Sequence, residues 1–175
     1  MSDELKLIEP AAEFEASYRS YVDESRGCDE LLVPWVLGYD VEDFPEFLTR
    51  MSDAASGKGL DDIFVPHSTY WTVDADGQVV GVVNLRHKLN ELLLREGGHI
   101  GYSIRPSLRG RGLATRQLAL AVQAAANRGI DRVLVICERD NTASAGVIMK
   151  NRGVMESEVI SSETGKLMQR YWIDA

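Results

Sequence analysis

The chain has 175 residues, 45% of them hydrophobic and 26% charged, with a formal net charge of −8. That length suits one domain with a sizeable core, and the acidity argues against general nucleic-acid binding, which calls for a basic balance. Cys28 and Cys137 form no C-x-x-C, so neither a zinc ribbon nor a disulfide framework is suggested, and both are read as reduced thiols.

No apolar run reaches the roughly 18 residues that a membrane span needs, and Met1 to Lys6 lack the basic and apolar regions of a signal peptide. The expected compartment is the cytoplasm, with no membrane partner. Charge is uneven along the chain. Residues 1–66 hold five Lys/Arg against sixteen Asp/Glu, whereas residues 67–175 hold fourteen against eleven.

Leu5 to Ile8 reads as a short strand that stops at Pro10, followed by a helix over about 11–26. Residues 27–42 mix Gly27, Pro34 and Gly38 with acids and apolar residues, and read as a loop with one helical turn. A second helix is expected over 43–55, with Asp43 as N-cap and Glu46 in capping-box relation to it. Ser68–Val73 and Val79–Arg86 flank Asp74-Ala75-Asp76-Gly77-Gln78, which predicts a β-hairpin. Asn90 to Glu96 reads as a helical turn or loop, and His99–Ile104 as a strand. Leu113 to Asn127 contains no Gly or Pro and carries Leu118, Val122 and Ala125 on one face, so a helix packed on a sheet follows, ended by Gly129. Arg132 to Cys137 is a nearly continuous apolar run, as in a central strand. A helix over 142–151 capped by Asn141 and two closing strands, Val154–Ser161 and Leu167–Ile173, complete the pattern. The fold class predicted is α/β with one mixed sheet and helices on both faces.

The stretch Gly98 to Thr115 organises this pattern as strand, Gly/Arg loop and helix. The first N–H groups of a helix lack internal partners and the helix dipole is positive there, so such a unit captures anions. Arg105, Arg109, Arg111 and Arg116 add mobile positive charge, and no Asp or Glu occurs from Gly97 to Ile130, a local basic island in an acidic chain. A P-loop would need G-x-x-x-x-G-K-[ST], which is absent. Gly110-x-Gly112-x-x-Thr115 departs from the dinucleotide fingerprint at its third glycine and stands too far behind its strand. A nicotinamide or flavin reading is therefore disfavoured.

Arg109-Gly110-Arg111-Gly112-Leu113-Ala114 fits the R/Q-x-x-G-x-G/A signature of the GNAT superfamily of acyl-CoA N-acetyltransferases. The run from Asp140 to Val154 is similar to that family's second block, N-x-x-S-x-x-x-I-x-K-N-x-G. With the closing Arg170-Tyr171-Trp172-Ile173, the chain resembles a group of predicted bacterial acetyltransferases over about residues 68–174, and the front only by element order. The resemblance implies the GNAT fold, a mixed and mostly antiparallel sheet of about seven strands flanked by helices. It implies a single domain over 1–175, with 1–66 on the acceptor side and 67–175 as the acetyl-CoA-binding core.

The implied co-substrate is acetyl-CoA. Its pyrophosphate would lie on the amides of Arg109, Gly110, Arg111, Gly112, Leu113, Ala114 and Thr115, and its pantetheine arm would run by the backbone of Ile104 and past Asn141 and Ser144. Asn141 is equally an ordinary helix cap, and Arg105 and Arg116 are equally surface charges. Acetyl transfer needs a neutral amine, donors for the oxyanion and a proton for the leaving thiolate. Many relatives supply that proton from a Tyr where this chain has Ile148. Tyr102, Glu138 and His99 are the candidates for a base. His99 and Tyr102 have opposite strand parity, so only one of them lines the cleft. A core role for Tyr102, a loop-fixing role for His99 and an exposed strand-end charge for Glu138 are the competing readings. Cys137 reads as apolar filler. His67, His87 and His99 lack metal-ligand spacing, so no metal is expected.

The acids of 27–66, among them Asp29, Glu30, Asp40, Glu42, Asp43, Glu46, Asp61 and Asp62, would suit a cationic acceptor, or merely solubilise two helices. The activity expected is transfer of acetyl to a small-molecule or protein amine. A non-catalytic acyl-CoA sensor is the alternative, and a homodimer is compatible with the resemblance.

Overall fold

The computed structural model describes residues 4–175. Its elements run β1 (Lys6–Ile8), α1 (Glu15–Arg26), α2 (Phe44–Ser56), β2 (His67–Val73), β3 (Val79–Arg86), β4 (Ile100–Ile104), α3 (Leu113–Ala126), β5 (Arg132–Glu138), α4 (Thr142–Lys150), β6 (Val154–Ile160) and β7 (Leu167–Asp174). This is the order that the sequence pattern predicts. Local chemistry accounts for the boundaries. The Asp43 carboxylate accepts the Glu46 N–H at 2.9 Å, the one half of the expected capping box that forms, and α2 ends at Gly57 with φ +79°. In the hairpin turn Asp74 accepts the N–H groups of Asp76 and Gln78 at 3.0 and 2.8 Å, and Gly77 takes φ +78°.

The strands divide differently from one continuous sheet. They form a four-stranded sheet, β1-β2-β3-β4, and a three-stranded sheet, β5-β7-β6, with every pairing antiparallel. The sheets meet at one point, where the His99 N–H donates to Leu134 O at 2.7 Å and the Leu134 N–H donates to His99 Nδ1 at 2.9 Å. A Cβ on Gly98 would fall 2.6 Å from Leu134 O, so only glycine permits this approach. The imidazole then takes the N–H that the next ladder bond would have used. From there β4 and β5 belong to separate sheets.

Two apolar cores flank the first sheet. On one face α1, α2 and the turn Trp35–Gly38 pack Tyr18, Tyr21, Leu37, Phe44 and Phe47 around Trp71, with Tyr18 stacked on Trp71 at 4.4 Å. On the other face α3 and α4 pack Leu118, Ala121, Ala125 and Ile148 against Val83, Leu85, Ile100, Val133, Val135 and Tyr171. Gln117 fastens α3 to the sheet, its Nε2 donating to Thr72 Oγ1 at 2.8 Å and Ser103 O at 3.2 Å. A Cβ on Gly81 would sit 2.4 Å from that nitrogen, which is why the strand carries glycine there. No helix among the described residues is long and apolar enough to cross a membrane.

Candidate active site

The site begins where β4 hands over to α3 through the turn Pro106–Leu108 and the glycine loop. Gly110 and Gly112 take φ +77° and +76°, and a Cβ on either would meet nothing within 4 Å. They are glycine for backbone conformation, and the space beyond them is open. The N–H groups of Gly110, Arg111, Gly112, Leu113, Ala114 and Thr115 find no backbone acceptor; the first turn of α3 closes only with Arg116 N–H to Gly112 O, at 3.4 Å. No acidic residue occupies that first turn. Six successive unpartnered donors at a helix start have the chemistry of an anion cradle.

Asn151 supports this cradle from the far end of α4, its Nδ2 donating to Thr115 O at 3.0 Å and Val147 O at 2.9 Å. The reversal after α4 depends on Gly153, whose added Cβ would lie 2.4 Å from Ile148 Cγ2. Neither residue stood out as a site residue in the sequence. The K-N-x-G ending of the second block was the available signal.

The four arginines of the basic island separate into different roles. Arg105 is not a mobile charge: it is buried, and donates to Val79 O, Ser17 O and Ser20 Oγ at 3.2, 2.9 and 3.2 Å and to Glu24 at 3.4 Å. Glu24 also accepts the Ser107 N–H at 2.5 Å, so α1 holds the turn before the cradle. Hydrogen bonds from Ser107 and the charge of Arg105 outweigh desolvation and keep the Glu24 carboxyl below its usual range. Arg109 makes a two-oxygen contact with Glu30 at 3.0 and 2.9 Å, and its Nε donates to Ile104 O at 3.3 Å, the strand end assigned to pantetheine. Arg111 and Arg116 pair with no described carboxylate.

Between β4 and α4, Tyr102 Oη and Ser144 Oγ lie 2.9 Å apart, while the Ser144 N–H donates to Asn141 Oδ1 at 3.0 Å. Asn141 is thus a helix cap, and its amide nitrogen remains for other use. Burial pushes the Tyr102 phenol up to about 12, which favours its protonated form at neutral pH. Burial likewise pushes the Cys137 thiol up, as suits apolar filler. Glu138 is engaged with Lys166 at 3.0 and 2.8 Å, so service as a base would first require breaking that ion pair. His99 joins the sheets, and burial, with the charge of Arg86, lowers its pKa to about 4.

In the segment 27–66, Asp29, Glu30, Asp40, Glu42, Asp43, Glu46, Asp61 and Asp62 are all exposed. Asp40 and Asp43 accept local N–H groups and Glu30 pairs with Arg109, so these acids do not line the interior. No group of His, Cys, Asp and Glu that could hold a metal occurs among the described residues.

The family model for the acetyltransferase (GNAT) domain matches residues 5–154. Comparison with curated protein sequences returns no match. Among solved structures, the chain is similar to the Salmonella typhimurium acetyltransferase that modifies the N-terminal serine of ribosomal protein L7/L12, with TM-score 0.70, 17% identity and coverage of 99% of this chain and 96% of that one. It is similar to the microcin C7 self-immunity acetyltransferase MccE in complex with acetyl-CoA and AMP, at TM-score 0.70 and 16% identity, covering 99% and 94%. A chimera of Vibrio cholerae spermidine N-acetyltransferase SpeG and hSSAT follows at TM-score 0.65 and 13% identity, covering 98% and 96%. At these identities the likeness concerns the fold. Together with the family match over most of its length, it shows that this chain belongs to the GNAT acetyltransferases and is an acyltransferase enzyme.

Proposed function

We propose that the protein transfers an acetyl group from acetyl-CoA directly to a primary amine. The observation that carries this reading is the row of six unpartnered N–H groups from Gly110 to Thr115. They suit a pyrophosphate, with Arg111 and Arg116 supplying charge and Arg109 able to exchange Glu30 for phosphate. The backbone of Ile104 and the side chains of Asn141 and Ser144 flank the path of the pantetheine arm. Neighbouring enzymes named for a protein N-terminus and for spermidine support an amine acceptor.

In the reaction the amine lone pair forms a bond to the thioester carbonyl carbon, the carbon–sulfur bond breaks, and the proton lost by nitrogen passes to the thiolate. Tyr102 and Ser144, hydrogen-bonded to one another, leave one hydroxyl hydrogen free beside that path, in a chain where Ile148 stands at the place many relatives give to a Tyr. A phenol raised to about 12 gives a hydrogen bond but holds its proton, so the amine's own proton balances the step. Glu138 remains on Lys166. Holding both reactants in one cleft is worth up to about 7–11 kcal/mol at its best.

The test is incubation with acetyl-CoA and a mixture of primary amines. Thiol release equal to N-acetyl product, with the intact mass of the enzyme unchanged by acetyl-CoA alone, is the expected result. A stable acetyl-enzyme would contradict direct transfer, and coenzyme binding with no release on any amine would favour a sensing role.

A further inference from the structure

The acceptor face contains a buried polar cluster that the chemistry above does not use. Strand register sets His67 opposite Arg86, Thr69 opposite Asn84, and Asn84 opposite Gly101. These share one face of the first sheet with Trp71 and Ser103, the face on which α1 packs through Tyr18 and Tyr21. Trp35 meets His67 edge-on at 5.2 Å and stacks on Phe64 at 5.0 Å, so loop residues roof the cluster. Pro34 closes it beside Gly101, 3.4 Å from where a Cβ would be.

Inside, the hydrogen bonding is incomplete. His67 is 2% exposed and Asn84 fully buried. Asn84 Nδ2 serves both His67 Nδ1 at 2.8 Å and Thr69 Oγ1 at 3.3 Å, and His67 Nε2 and Asn84 Oδ1 have no partner. Buried polar atoms are rarely left this way. If Asn84 is turned about its amide, the donor and acceptor exchange places. In either orientation the pair offers one free donor and one free acceptor.

Arg86 adds a cation without a counter-ion. Its Nη1 donates to the carbonyls of Gly97 and Gly98 at 2.9 and 3.0 Å, and no described carboxylate pairs with it. Its Nη2 lies 3.8 Å from the Cβ position of Gly101, the residue beside which Pro34 closes the cluster. Burial lowers its pKa to about 10, which leaves it charged at neutral pH. A polycation would meet repulsion here, whereas a carboxylate would supply the missing partner.

We propose that this cluster is the acceptor pocket, and that it selects an amine bearing a carboxylate, as an amino acid does. The Arg86 fork and the free donor of the His67–Asn84 pair receive the carboxylate. The free acceptor of that pair receives an N–H of the amine, and Trp35 and Phe64 cover the apolar part. This assignment rests on the acetyltransferase reading above.

The test measures acetylation of the proteinogenic amino acids, their C-terminal amides, the corresponding decarboxylated amines and spermidine. A second readout, independent of turnover, is the shift each compound gives to the melting temperature in the presence of coenzyme A. The expected result is at least one amino acid favoured in kcat/KM by about tenfold or more over its amide and its decarboxylated form. Arg86→Lys should raise KM for that acceptor about tenfold with KM for acetyl-CoA unchanged, which a merely structural role at Gly97 and Gly98 would not produce. Asn84→Asp should remove the preference for the carboxylate. Both variants are used only if they keep the melting shift given by acetyl-CoA, which tests the coenzyme site separately. Equal or better use of amides or spermidine, or a panel silent in both readouts, overturns the proposal.

Discussion

The two flanks of the first sheet build their sites from different material. On the proposed coenzyme flank the working groups are backbone N–H groups, made available by φ +77° at Gly110, φ +76° at Gly112 and the start of α3. On the proposed acceptor flank they are side chains from separate strands and loops: His67, Asn84, Arg86 and Trp35. A site made of backbone tolerates many side chains but needs glycine at fixed spacing. A site made of side chains needs no spacing at all, only a register that brings the residues together.

Substitutions can pull the two flanks apart, and the largest effect belongs to the cradle. Gly112→Glu forces a side chain onto φ +76° and sets a negative charge among the six donors. Acetyl-CoA affinity should fall about a thousandfold, ~4 kcal/mol, measured by calorimetry, while acceptor-flank packing persists. Next comes the junction. Arg105→Ala strands the partly buried Glu24 carboxylate and takes one donor from each of the Val79 and Ser17 carbonyls, so it should cost about 3 kcal/mol. For a chain of this size that lowers the melting temperature by about 6–12 °C. Gly153→Ala drives a Cβ into Ile148 and should cost about 1–3 kcal/mol on the coenzyme flank, with weaker acetyl-CoA binding because Asn151 shifts.

Acid sharpens the contrast in a different way. His67 and His99 have folded pKa values near 4, lowered first by burial, against 6.5 for the free side chain. Between these limits the unfolded chain binds more protons than the folded one, so stability falls as pH drops from about 6.5 toward 4. His67→Gln should flatten part of that slope in pH-dependent melting. The smallest effect is expected at Tyr102→Phe, which removes the bond to Ser144: kcat should fall about tenfold, ~1.4 kcal/mol, with acetyl-CoA affinity retained.

Sequence alone carried the local structure of the proposed coenzyme flank almost to the residue. Gly110 and Gly112 report a backbone conformation, Asn141 a helix start, and the Gly-free run after Gly112 a helix long enough to have a dipole. The element order was equally legible, because each hairpin and helix carries its own punctuation. The break between the two sheets was not, since it depends on one imidazole of His99 entering a ladder that apolar patterning would have continued. Arg105 looked like part of a mobile basic island, because its partners on α1 lie more than eighty residues away in sequence. The acids of 27–66 suggested a cationic acceptor through their number alone. Eight of them are exposed, and Asp40 and Asp43 cap local turns, while the uncharged donors beneath Trp35 were invisible until β2, β3 and β4 were in register.

The claim on which the rest depends is that the backbone between Gly110 and Thr115 holds acetyl-CoA. The direct measurement is the melting temperature with and without acetyl-CoA, with NADPH and ATP as controls. At about a hundred times its dissociation constant, acetyl-CoA should stabilise the protein by about 2.7 kcal/mol, a rise of roughly 5–10 °C that neither control reproduces. No rise with acetyl-CoA, or a larger one with NADPH, would contradict the account.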